Sequence, residues 1–256
     1  MTPLSGSWLQ DRARELKASL AFCTRLPLGH AAAADAKAVA SAAWALPVAG
    51  LIIGAISAFI YVLAHRLGLP AWPAAALAVT ATLVVTGALH EDGLADTADG
   101  FGGGASREQK LDIMRDSRTG AYGVCALVLS LALRIGTLAS FGDSYAVVWA
   151  LIASHTAARA AMAVLMWLLP PARGDGLSYE AGSPPGESVA AAAAIAFVVL
   201  LFCLHPLRGA IAALVLIAAI ALMAWLSMRQ IEGQTGDVLG ATEQVGEIAV
   251  LLVAVA

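Results

Sequence analysis

The sequence predicts an all-α, polytopic membrane protein. Three observations predict it: an apolar composition, six apolar runs of spanning length, and a one-sided distribution of basic residues. Hydrophobic residues make up 60% of the 256 positions and charged residues 13%. With a mean hydropathy of +0.80, so much apolar surface has to face lipid rather than water.

Residues 1–37 form the first element, an N-terminal amphipathic or interfacial segment within a single membrane domain covering 1–256. In SWLQDRARELKASLAFCTRLPL, charges recur through Lys17 and no cleavage site follows a clean apolar core, so it is not a cleavable signal. As a helix it sets Trp8, Leu9, Leu16, Leu20 and Phe22 toward the interface, with Arg12, Arg14 and Lys17 toward headgroups.

Crossing the hydrocarbon takes about 20 mostly apolar residues. Six runs qualify: Ser41 to Ala64, Ala71 to Leu89, Ala121 to Ala139, Tyr145 to Leu169, Ser188 to Leu204 and Gly209 to Leu226. A seventh, Ile248 to Ala256, is too short to span alone and reads as an interfacial or buried tail.

With the N-terminus inside, the inner segments hold Arg12, Arg14, Lys17, Arg25, Lys37, Arg107, Lys110, Arg115, Arg118, Arg173 and Arg229, against Arg66 and Arg208 outside. The long polar segments His90 to Gly120, Pro170 to Glu187 and Ser227 to Glu247 then share the cytoplasmic side, and an active site is expected there. Cys23, Cys125 and Cys203 form no CxxC pair, so neither a disulfide framework nor a zinc site is suggested. A formal net charge of -3 argues against a nucleic-acid partner.

The chemistry concentrates in HEDGLADTADGFGGG, His90 to Gly104. On a helix, Asp92, Asp96 and Asp99 fall within roughly 60° of one another, while Glu91 and His90 point elsewhere and rank below them. Carboxylates so close repel, and they gather a cation or a proton. Magnesium suits oxygen ligands that also face substrate phosphates. The glycines after them, including Gly102 and Gly103, leave room for a bulky anion and amides to meet it. In REQKLDIMRDSRTGAYG, Asp112 and Asp116 lie four apart beside Arg115 and Arg118, a pattern that fits a pyrophosphate-bearing substrate. Glu108 and Lys110 read as solvated surface.

The polar stretch from Glu232 to Glu247 carries Thr235, Asp237, Thr242, Glu243 and Glu247. From composition it is either a flexible loop before the tail or a second wall of the site, with Asp237 a further metal ligand or acid/base group. Within the spans, Arg134, His155 and Arg159 are costly in hydrocarbon and should face the bundle interior or water. His155 and Arg159 share a helix face, as a structural pair or as a contact to substrate. His30, His65 and His205 read as interfacial, and Trp44, Trp72, Trp149, Trp167 and Trp225 as packing or interface anchors.

Together these motifs resemble the cobalamin synthase family of adenosylcobinamide-GDP ribazoletransferases. The acidic segment and REQKLDIMRDSRTGAYG are similar to its core signature, FCTRLPL to its F-x-T-R-[IL]-P segment, and GQTGDVLGATEQVGE to its G-G-x-T-G-D-x-L-G-A stretch, in the same order. Glu232 departs from the pattern where the last motif's first glycine is expected. The resemblance implies a multi-pass enzyme of the bacterial inner membrane that joins adenosylcobinamide-GDP to α-ribazole or its 5′-phosphate, releases GMP and uses magnesium. Membrane lipid is implied as its surrounding, and a homo-oligomer is open. Asp92, Asp96 and Asp99 would hold the metal, with Asp99 a ligand or the base. Arg115 and Arg118 would bind phosphate, supported by Asp112, Asp116 and Asp237, and Arg159 is a further candidate contact.

Two rivals differ in testable ways. A CDP-alcohol phosphotransferase also breaks a pyrophosphate with membrane aspartates and a metal, but its D-G-x2-A-R signature lacks a match after Asp92-Gly93. A cation-coupled transporter would want carboxylates near the midplane and paired interrupted halves, whereas these acids follow a span and no internal repeat is seen.

Overall fold

The computed structural model describes residues 6–28 and 36–256, and it is helical throughout, with no strand among the described residues. Twelve α-helices follow in order: α1 (Gly6–Cys23), α2 (Ala36–Ser41), α3 (Leu46–Arg66), α4 (Ala71–Thr86), α5 (Leu89–Gly103), α6 (Arg107–Ile113), α7 (Ala121–Ala139), α8 (Ser144–Leu168), α9 (Leu177–Ala181), α10 (Gly186–Cys203), α11 (Pro206–Ile231) and α12 (Gly236–Val255). The protein is a polytopic all-α membrane protein: α3, α7, α8, α10, α11 and α12 are each long and apolar enough to cross a bilayer.

Two spans differ from expectation. The run Ala71 to Leu89 is not one straight helix, because Gly87 (φ 67°) and Ala88 (φ 57°) are consecutive left-handed residues. Two such residues cannot continue a right-handed helix, and α5 leaves α4 at 90°. At the C-terminus, the nine apolar residues from Ile248 to Ala256 are not a separate tail. They continue a helix that starts at Gly236, so the loop expected over Glu232 to Glu247 is mostly the first half of α12. Thr235 caps that helix, its hydroxyl accepting from the Val238 amide at 3.3 Å. The acids in this stretch interrupt its apolar run, although the helix as a whole is apolar enough to cross a bilayer.

Helix α8 is the bundle's centre, with 78% of its apolar window buried. Against it, α3 approaches closely at Gly50 and Gly54. A Cβ on Gly50 would lie 2.2 Å from the His155 carbonyl oxygen, and one on Gly54 would lie 2.7 Å from that of Leu151. Small residues four apart are how membrane helices gain contact where lipid provides no hydrophobic drive between them.

The N-terminal helix docks on the bundle through its inner face. Leu20 and Cys23 are buried and Leu9 is exposed, Arg12 lies over the Trp44 ring, and the Trp44 indole donates to Glu15 at 2.5 Å. Trp72, Trp167 and Trp225 are each more than half exposed, as lipid-facing anchors would be. The expectation for His30 lies outside the described residues, as does the side chain of Trp8.

Candidate functional site

The polar connections gather at one end of the bundle. There Pro170 to Ala172 runs beside Gln234, with the Ala172 amide donating to the Gln234 carbonyl and the Gln234 amide to that of Pro170, both at 2.8 Å. Arg107 donates to the carbonyls of Ile231 and Ala172. Lys110, expected as free surface, reaches Gln230 at 2.5 Å, while Glu108 is exposed.

Helices α5 and α12 cross at glycines. A Cβ on Gly93 would meet the Asp237 backbone at 2.8 Å, and one on Gly240 would lie 3.3 Å from the backbone of His90. This crossing brings Asp92 and Asp96 of α5 toward Asp237 of α12. Asp92 is exposed and Asp96 is partly buried. Asp237 accepts from the Thr235 hydroxyl at 3.1 Å and from Arg173 at 3.5 Å. The charges acting on Asp96 come from Asp92, Asp237 and Asp99, with Arg173 opposing them. The stretch that composition left open is thus mostly helix rather than flexible loop, and it sets Asp237 near Asp92 and Asp96. Arg173 was missed as a site residue: its sequence signal, a lone base in a polar loop, served only to orient the chain.

Asp99 sits apart from this pair in what it does. Buried at 7% exposure, it accepts from the Gly120 amide at 2.6 Å and from the Gly123 amide at 2.9 Å, one on each oxygen. These are free amides of the first turn of α7, so the expected base or third ligand is engaged in capping another helix. Helical spacing correctly put it near Asp92 and Asp96 but could not show what lay opposite.

Other expectations are revised by the same kind of detail. Gly102 and Gly103 occupy the last turn of α5, where the free backbone groups are carbonyls, so they offer no amide cradle. Asp112 and Asp116 do not share a helix face, since α6 ends at Ile113. Asp112 is exposed. Asp116 is held by hydrogen bonds from Arg118, which lower its carboxyl pKa to about 2, with a closest approach of 2.5 Å. Arg115 grips Asp175 with contacts of 2.5 and 2.6 Å. Both arginines stay at the surface of this end, but each already carries a carboxylate.

Beneath the site lies a buried ionic network. Arg134, fully buried, donates to Glu91 at 2.7 Å and to Glu247 at 2.9 Å. Gln244 donates to Glu91 at 3.1 Å and to Glu243 at 3.0 Å. Arg159 pairs with Glu243 at 2.7 Å and contacts the His155 ring nitrogen at 3.2 Å. Arg159 is fully buried in an ion pair with Glu243, the arrangement of a structural pair rather than of a side chain displayed to substrate phosphate. Donor atoms of His155, Glu243 and Glu247 lie within 4.8 Å of one another, but both acids are already paired with guanidiniums, Glu243 with Arg159 and Glu247 with Arg134. The network joins α5, α7, α8 and α12, and it fixes the depth and rotation of α5.

Between α5, α8 and α12 opens a cavity of about 140 Å³. Asp92 and Asp237 stand on its lining, and the rest is mainly apolar. A carboxylate pair at an apolar cavity, with an arginine beside it, can hold a cation against an anionic group while an adjoining apolar group is buried.

The family model described as cobalamin-5-phosphate synthase matches residues 15–255. Three similar proteins are named adenosylcobinamide-GDP ribazoletransferase. The one from Bradyrhizobium diazoefficiens is 53% identical over 94% of this chain and 93% of its own. That from Mesorhizobium japonicum is 52% identical over 92% and 90%, and that from Azorhizobium caulinodans is 47% identical over 93% and 94%. No solved structure matches the chain.

Proposed function

The chain belongs to the cobalamin-5-phosphate synthase family, and from that premise we propose that it joins adenosylcobinamide-GDP to α-ribazole or α-ribazole 5′-phosphate and releases GMP. The observation that carries this reading is the meeting of Asp92 and Asp96 with Asp237 at the mouth of an apolar cavity, beside Arg173.

The residues fit a magnesium ion. Their donors are carboxylate oxygens, and the negative charge around Asp96 exceeds what Arg173 offsets, a combination that suits a hard divalent cation retaining some water. Asp92, Asp96 and Asp237 would hold it, and when bound it supplies positive charge to the pyrophosphate.

The ribazole hydroxyl attacks the phosphorus that bears cobinamide, and the bond to the GMP oxygen breaks. One of the site carboxylates accepts the hydroxyl proton. Arg173 stabilises phosphate oxygens as charge shifts to the leaving group. Capping by Asp99 holds α5 against α7, so that Asp92 and Asp96 keep their positions. The site lies on the cytoplasmic face of the bacterial inner membrane, where both water-soluble substrates are made accessible.

Purified protein in detergent, supplied with adenosylcobinamide-GDP, α-ribazole and magnesium, tests the reading when corrinoid product and GMP are followed by mass spectrometry. Equimolar product and GMP are expected. Consumption of a CDP-lipid in place of adenosylcobinamide-GDP would instead favour the CDP-alcohol phosphotransferase reading.

A further inference from the structure

The cavity says more about the substrates than the acids do. Its apolar lining comes from Phe22, Val39, Leu46, Met162, Met166 and Leu239, contributed by the N-terminal helix, α2, α3, α8 and α12. At about 140 Å³ it is too small for a corrinoid ring. A guanine base carries several donors and acceptors that this wall would leave unpaired, a cost of about 1–3 kcal/mol for each buried group. A flat, weakly polar, bicyclic aromatic base matches it in size and chemistry, and methionine sulfurs such as those of Met162 and Met166 pack well on aromatic rings.

A second observation points to a ligand. His90 also lines the cavity and is 2% exposed, and its Nε2 has no hydrogen-bond partner among the described residues. Its Nδ1 faces Glu243 at 3.8 Å. A buried polar atom without a partner is uncommon and costly; since Nε2 has almost no accessible surface, the imidazole has to turn toward the cavity for a bound nucleoside to supply the missing hydrogen bond.

We propose that this cavity is the subsite for the benzimidazole base of α-ribazole, with His90 completing one hydrogen bond to the bound nucleoside. Resting on the ribazoletransferase reading, the assignment seats one substrate with its base inside and its sugar at the acidic mouth. Adenosylcobinamide-GDP then approaches from the open end of the bundle, near Arg173.

The test separates this assignment from the reading beneath it. Full-length protein in detergent is assayed with α-ribazole, with free 5,6-dimethylbenzimidazole as competitor, and as Met162→Phe and Leu239→Phe variants that narrow the cavity. The free base should compete with α-ribazole and not with adenosylcobinamide-GDP. Each folded variant should raise the KM for α-ribazole at least tenfold and change that for adenosylcobinamide-GDP by less than twofold. His90→Phe should raise the α-ribazole KM without altering competition by adenosylcobinamide-GDP. Turnover with no competition by the free base, or a KM change confined to adenosylcobinamide-GDP, would overturn the subsite while leaving the function standing. The competition arm needs no variant, so a variant that fails to fold does not decide the matter. Wild-type protein that releases no GMP would overturn the function and the subsite together.

Discussion

The carboxylate of Asp99 in α5 accepts a hydrogen bond from the backbone amide of Gly120 at 2.6 Å, which makes one helix the N-terminal cap of another. The second oxygen does the same for Gly123 at 2.9 Å. A Cβ on Gly123 would lie 2.4 Å from that carboxylate, so the glycines leave space for the acid to reach the amides.

Replacing Asp99 with Ala should therefore act through structure. It frees two amides and leaves a gap, for a loss of about 1–2 kcal/mol, as with other caps. Thermal unfolding in detergent would show the lower midpoint. Asp99→Asn, which keeps an acceptor oxygen, should lose less. Full stability in Asp99→Ala would contradict the capping role.

Asp96→Asn should behave in the opposite way. The side chain is partly exposed, and among the described residues none of the hydrogen bonds that tie α5 to its neighbours runs through it, so folding should be unchanged. Turnover should fall by about 10²-fold or more, the scale of losing one group that acts on transition-state charge. Excess chelator on the wild type should give a comparable loss, restored by magnesium. An Asn variant with wild-type turnover would remove Asp96 from the chemistry.

How far the sequence carries can be judged from particular residues. Periodicity put Asp92 and Asp96 on one face beside a span, and that much of the site was legible. The sidedness of basic residues gathered the polar segments at one end. Hydropathy found five spans because no acid interrupts their apolar runs, and it missed α12 because Glu243 and Glu247 cut its run to the nine residues after them, although both carboxylates are paired inside the bundle with Arg159 and Arg134. Such pairing is a long-range fact, as is the meeting of Asp99 with Gly120, and no local pattern contains either. The break at Gly87 and Ala88 was hidden for a different reason: only the glycine signals a left-handed residue, and the alanine beside it does not.

The Arg134 network yields a third prediction. Arg134→Met would leave Glu91 and Glu247 buried without their guanidinium, at a cost of about 3–5 kcal/mol. Because Glu91 is one of the two charges then stranded, adding Glu91→Gln should recover part of that loss. A thermal-denaturation double-mutant cycle measures it, and strictly additive losses would show that the two residues are not coupled.

Glu232 offers the last test, and it connects the sequence departure to backbone geometry. The resemblance leads one to expect a glycine where this chain has Glu232, and Glu232 ends α11 in the left-handed region at φ 58°. For a residue with a Cβ that conformation costs roughly 1 kcal/mol relative to glycine. The side chain returns little, since it is 75% exposed and its contact with Arg107 is 3.5 Å, an interaction that solvent screens. Glycine would loosen the unfolded chain and so cancel part of the gain. Glu232→Gly should then be neutral to stabilising, by up to about 1 kcal/mol, with turnover retained because Glu232 touches none of the site carboxylates. A lower melting midpoint in that variant would mean that the Arg107 contact outweighs the backbone strain.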